Sequence, residues 1–229
     1  MALVTGASRG IGKAIAVHLA RAGLDVAVAA RTRHEGEVRE HSSTVAASDT
    51  RPLPGSLDST AALVEEAGVR ALPVTLDLLD RHLEANVMAP VILSRLVLPG
   101  MVERGAGVII NLASGSGRRD PPAPAGEGGW GLGYGMSKGA LHRLAGIVAV
   151  ELGHTGVLAF NLSPGFVATE RIAMDMGGFG FDASAGAPVD VIGAVAAWLV
   201  TAPEARERNG KWVEAQEVCR ELGLLPGWT

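Results

Sequence analysis

A chain of 229 residues, 48% hydrophobic and 19% charged, has enough apolar material to close a full core as one large domain. Its net charge of −4 gives no basic footprint for nucleic acid or an anionic membrane surface, so neither is expected as a partner. One cysteine, Cys219, excludes an internal disulfide and a cysteine metal cluster, and it fits a reducing, cytoplasmic setting.

Met1 runs directly into ALVTG with no basic segment followed by an apolar one, so no secretion signal is expected. Six stretches read as strands in chain order: 2–5, 25–30, 69–76, 107–113, 157–163 and 211–215. The first five are near-continuous apolar runs, the pattern of strands covered on both faces. Helical periodicity fills the intervals at 11–22, 59–67, 80–103, 134–152 and 189–200, and Gly23, Gly68 and Gly153 stand where left-handed C-terminal caps belong. Strand and helix alternate, which predicts an α/β fold, a parallel sheet with helices on both faces. No internal repeat or linker is visible, so residues 1–229 are expected to form a single domain. The longest apolar run, VMAPVILSRLVLPGMV, is interrupted by Arg95 and is expected not to cross a bilayer. Six histidines lie scattered without ligand spacing, so no metal site is expected.

TGASRGIG, residues 5–12, lies between the first strand and the first helix. Gly6, Gly10 and Gly12 let the backbone approach a phosphate while the helix N-terminus presents free N–H groups and a partial positive charge; Ser8, Arg9 and Ile11 complete the turn. The spacing differs from GxGxxG, and a glycine-rich turn is by itself also an ordinary tight turn. The second strand ends AARTR, with no carboxylate to accept from a ribose 2′-hydroxyl. Arg31 there, with Arg9 able to approach the same place, favours the 2′-phosphate of NADP(H) over NAD(H).

YGMSK places Tyr134 and Lys138 four residues apart at the start of a helix, hence on one face. A phenol ionises near pH 10, and a neighbouring ammonium brings that value down. Tyr134 is the single tyrosine of the chain, and lysine occurs only at positions 13, 138 and 211. Ser114, in NLASGS, falls at the C-terminal end of a predicted strand, where open parallel sheets bind ligands, and its hydroxyl is placed to bond a substrate carbonyl oxygen.

Taken together, TGASRGIG, NLAS ahead of YGMSK, Asn86 in LEANVMAP, and SPGFVATE resemble the classical short-chain dehydrogenases/reductases over nearly the whole chain. The resemblance implies a single Rossmann-type domain, a doubly wound parallel sheet, in which Tyr134 is the general acid/base. It implies that Lys138 lowers the phenol pKa and holds the ribose hydroxyls, that Ser114 orients the substrate oxygen, and that Asn86 positions a water in a proton relay. Pro164, Gly165, Val167 and Thr169 match the segment contacting the nicotinamide, Asp77 an acidic residue near the adenine. A homo-oligomer, dimer or tetramer, is also what the family implies.

Three departures accompany it. Ser114 and Tyr134 are separated by more than the family's usual interval, so GRRDPPAPAGEGGWG reads as an insertion; the loop at 38–56 is long; and the family's NNAG motif, with the strand before it, has no counterpart. In PVTLDLLDRHLEANV a strand meets a helix without a connector, and a segment is expected to be missing between Leu79 and Asp80; a measured mass of 23.5 kDa would refute this. The expected function is NADP(H)-dependent hydride transfer to or from a small carbonyl/alcohol substrate. The alternative is a nucleotide-binding regulatory protein of the same fold with impaired catalysis. Met174, Met176, Phe179 and Phe181 suggest an apolar ligand or a lid.

Overall fold

The computed structural model describes residues 1–37, 51–75, 82–125, 127–170 and 185–228. The predicted alternation is present: β1 (Ala2–Thr5), α1 (Gly10–Arg21), β2 (Val26–Ala30), α2 (Leu57–Glu66), β3 (Ala71–Thr75), α3 (Ala89–Arg104), β4 (Gly107–Leu112), α4 (Leu132–Leu152), β5 (Val157–Ser163), α5 (Val189–Thr201), β6 (Trp212–Glu214) and α6 (Ala215–Leu222). The last helix is one that periodicity alone missed: it is short, and it buries Val218 and Cys219. Burial raises the Cys219 thiol pKa, which leaves an inert packing group.

The chain divides into two compact units. The first, residues 1–78, 166–201 and 216–229, holds a parallel sheet in the order β1-β2-β3. Its centre is β2, whose Val26, Ala27, Val28 and Ala29 are all buried. Pro73 sits in β3, at the sheet's edge, where the missing N–H costs no ladder bond. Gly193 lets α5 approach α1 closely, since a Cβ there would lie 2.6 Å from the His18 ring.

The second unit, residues 79–165 and 202–215, holds a parallel sheet in the order β4-β5-β6. All seven residues of β5 are buried, with Phe160 and Leu162 fully so; burial of each such side chain contributes about 2 kcal/mol. Asn111 on β4 donates to Asn161 on β5 (3.3 Å), which donates to the His142 carbonyl of α4 (2.8 Å), so the buried amides are partnered.

The expectation that five strands are covered on both faces holds for β2 and β5. Leu3 on β1 is 47% exposed and Leu72 on β3 60%, because β1 and β3 are the edges of a three-stranded sheet. Among the described residues no strand pairs with the free edge of β1 or of β4. The expected seam at Leu79–Asp80 lies outside the described residues, as do Met174, Met176, Phe179 and Phe181.

The helix running Glu84–Arg104, with a mean hydropathy of 1.5, is long and apolar enough to cross a membrane by length and composition alone. Its Leu96, Met88 and Ile92 are exposed, while Arg95 and Pro99 interrupt the run.

Candidate active site

In the first unit, β1 leads into a turn whose Gly6 (φ 66°) and Gly10 (φ 52°) occupy the left-handed region that favours glycine. Gly12 is required for another reason: a Cβ there would stand 2.2 Å from the Gly6 carbonyl oxygen. No side chain caps α1 and no acid lies in its first turn, so its N–H groups and partial positive charge remain available to an anion. Thr60 of α2 donates to the Ala7 carbonyl (2.9 Å), and Gly55 (φ 104°) packs where a Cβ would meet Ser8 at 2.6 Å and Arg9 at 2.9 Å. Ser8 is buried and Ile11 half-buried. Gly55 and Thr60 are supports that sequence reading missed, being about 50 residues from the turn they hold.

The segment after β5 reaches the same turn. A Cβ on Gly10 would lie 3.6 Å from Thr169 Cγ2 and 3.6 Å from a Glu170 carboxylate oxygen. Val167 is buried, and its strand-like bridge to Ala187 fixes the segment through Ala168 N–H donating to the Ala187 carbonyl (2.9 Å). Arg31 follows β2 directly and is half-buried. Arg33 is committed elsewhere, donating to the Pro73 carbonyl (2.9 Å) and pairing with Asp58 (2.8 Å), while Arg9 donates to the Gly55 carbonyl (2.9 Å). Glu37 also accepts from the Arg33 and His34 N–H groups. Asp77 lies outside the described residues.

In the second unit the structure brings Asn86, Ser114, Tyr134 and Lys138 onto connected elements. Tyr134 and Lys138 occupy successive turns of α4, with Lys138 Nζ 5.9 Å from the Tyr134 ring centroid. Nζ donates to the Leu112 carbonyl at the end of β4 (2.9 Å), and burial lowers the Lys138 pKa from 10.5 to about 8. Ser114 follows β4, where Ser116 donates to its oxygen through Oγ (2.9 Å) and N–H (3.3 Å), leaving the Ser114 O–H to donate to a ligand oxygen. Asn86 lies in a π-helical turn, Glu84–Met88, a distortion common at functional sites. Its Nδ2 donates to Ser137 Oγ (3.0 Å), which donates to the Tyr134 carbonyl (2.9 Å). Pro164 and Gly165 (φ 67°) follow β5.

Ser116, Ser137 and the His82 ring beside Tyr134 were not legible in sequence. The first two had a faint signal, as polar residues two and three positions from a catalytic candidate; His82 had none.

Two outcomes follow from this geometry. A Cβ on Gly117 would lie 2.6 Å from the Lys138 backbone, so Gly117→Ala should push the Ser114 turn off α4 and lower kcat about tenfold, with dinucleotide affinity unchanged by titration. Lys138 keeps its charge below about pH 8 and loses it above, which would withdraw support from a Tyr134 phenolate if Tyr134 is the acid/base. Activity should therefore fall along an alkaline limb centred near pH 8, a limb that Lys138→Arg, charged throughout, should move upward. The stability effect has the opposite sense: the charged half-buried ammonium destabilises fully below about pH 8, and this cost is relieved as pH rises toward the unfolded value of 10.5.

A family profile described as short chain dehydrogenase matches residues 1–65 and 54–175. The chain belongs to the short-chain dehydrogenase family. It is 32% identical over 199 residues to a short chain dehydrogenase of Pseudocercospora fijiensis, covering 76% of this chain and 62% of that one. It is 31% identical over 194 residues to a very-long-chain 3-oxoacyl-CoA reductase of Anas platyrhynchos, covering 74% and 60%. The chain spans about three fifths of the length of these curated relatives. The crystal structure of a 3-oxoacyl (acyl-carrier-protein) reductase from Agrobacterium tumefaciens with NADP bound superposes with a TM-score of 0.69 at 22% identity, covering 93% of this chain and 91% of that one. This likeness establishes a Rossmann-type short-chain dehydrogenase fold, with parallel sheets and helices on both sides.

Proposed function

We propose that this short-chain dehydrogenase is an NADP(H)-dependent oxidoreductase acting on a carbonyl/alcohol carbon, with Tyr134 as general acid/base. The observation that carries the reading is Lys138: a half-buried ammonium, anchored to the Leu112 carbonyl and 5.9 Å from the ring of the single tyrosine. The glycine turn fits a dinucleotide, because its helix N-terminus is uncapped and a Cβ at Gly6 would meet nothing within 4 Å, which leaves the backbone open to a pyrophosphate. A nicotinamide dinucleotide held at the glycine turn would supply or accept the hydride. In the reducing direction Ser114 donates a hydrogen bond to the substrate oxygen, and Tyr134 transfers its proton to that oxygen as the carbon gains hydride, leaving alcohol and phenolate. The adjacent Lys138 ammonium stabilises the phenolate until it is reprotonated.

Arg31 at the end of β2 supports NADP(H) over NAD(H), and solved structures of this fold carry either one. Asn86, tied through Ser137 to the Tyr134 carbonyl, and Lys138, beside the Tyr134 ring, favour catalysis over the regulatory reading. We place the enzyme in the cytoplasm, working as one domain over 1–229 on an apolar small molecule, as the relative named a very-long-chain 3-oxoacyl-CoA reductase suggests. Self-association would cover the exposed Leu96 and Ile92 of α3. Following NADPH absorbance with a panel of aliphatic ketones and 3-oxoacyl thioesters tests the activity; no oxidation with any of them, by protein that binds NADPH, would return the regulatory reading.

A further inference from the structure

We propose that His82 is a positioning residue for Tyr134, holding the phenol ring edge-on from the side of the Asn86 turn; this rests on Tyr134 being the general acid/base. The two rings meet at 5.7 Å between centroids with 69° between planes, a T-shaped contact. Room for it depends on Gly133, where a Cβ would lie 3.3 Å from His82 Cδ2. His82 stands four residues before Asn86, so one short stretch sends two side chains to α4: Asn86 to Ser137, and His82 to the tyrosine ring. The ammonium of Lys138 approaches the same ring at 5.9 Å.

The need for such a support comes from the tyrosine's place. Tyr134 lies in the first turn of α4, half-buried, and the helix begins at Gly131 without a side-chain cap. Its neighbours Gly133 and Gly135 carry no side chains to pack against the ring. The backbone is tied through Ser137, but that bond fixes the carbonyl of Tyr134 and not its ring. A phenol that must deliver a proton to one oxygen needs its own oxygen held within about 0.5 Å, and His82 is the aromatic contact made to that ring among the described residues. The role is steric, so another flat ring should fill it.

The test uses the 229-residue chain with NADPH and the most active compound of the aliphatic ketone and 3-oxoacyl thioester panel, comparing His82→Ala, His82→Phe and Tyr134→Phe with the parent. His82→Ala should lower kcat about tenfold with the KM for NADPH within about twofold, and His82→Phe should restore most of the loss. Since Tyr134 is the single tyrosine, its ring-labelled NMR signals need no assignment, and the parent should show nuclear Overhauser contacts between them and one histidine ring that vanish in His82→Phe. Parent-like kcat in His82→Ala, equal loss in both His82 variants, or no such contact would each overturn the inference while leaving an inactive Tyr134→Phe, and so the acid/base assignment, intact. Full turnover by Tyr134→Phe would instead remove the assignment itself.

Discussion

Tyr134→Phe should reduce turnover about a thousandfold, within the range that a positioned acid/base supplies, while NADPH binding by fluorescence titration stays within about twofold. The substitution removes one oxygen and keeps the ring, so the packing against His82 and the approach of Lys138 are retained. A large loss of kcat with unchanged cofactor affinity isolates proton transfer as the missing step. A loss of less than tenfold would mean that another group delivers the proton. Thermal unfolding should barely move, since among the described residues none hydrogen-bonds the Tyr134 hydroxyl, and the backbone bond from Ser137 is kept.

Gly12→Ala should act on the other function. The added methyl would stand 2.2 Å from the Gly6 carbonyl oxygen and 2.7 Å from its carbon, both backbone atoms that no side-chain rotation can move. The turn must open, which costs about 2 kcal/mol of overpacking strain. It also draws backbone N–H groups away from a bound pyrophosphate. Losing two charge-assisted bonds, at about 1.5 kcal/mol each, corresponds to roughly a hundredfold weaker NADPH binding. Calorimetric titration of the variant checks the affinity, and thermal unfolding checks the strain. Parent-like affinity would show that the dinucleotide does not use this turn.

Most of the architecture could be read from periodicity, because β2 and β5 are uninterrupted apolar runs and α1 and α2 end at Gly23 and Gly68 in the left-handed conformation expected of them, whereas Gly153 is right-handed and the left-handed residue after α4 is Gly156. The site residues with motif spacing were legible for the same reason: Tyr134 and Lys138 share a helix face by arithmetic, and Ser114 ends a strand. Contacts made across long separations were not. Thr60 reaches the Ala7 carbonyl from 53 residues away, and Gly55 reaches Arg9 from 46; no local pattern encodes either. Arg9 shows the converse limit, since its place in the glycine turn suggested a phosphate partner and tertiary packing gives it the Gly55 carbonyl as well. Exposure of β1 and β3 also escaped composition, for an apolar strand looks alike in sequence whether it has one neighbour or two.

The open strand edges divide the backbone by how long it holds its protons. In each parallel sheet only the middle strand, β2 or β5, is bonded on both sides; β1 and β4, at the free edges, direct half of their amides away from any ladder partner among the described residues. Deuterium should therefore enter β1 and β4 through small local openings, while β2 and β5 exchange only when their whole unit unfolds. Exchange followed by mass spectrometry would read this contrast directly. Slow exchange throughout β1 and β4, equal to that of the middle strands, would mean that something else bonds those edges in solution.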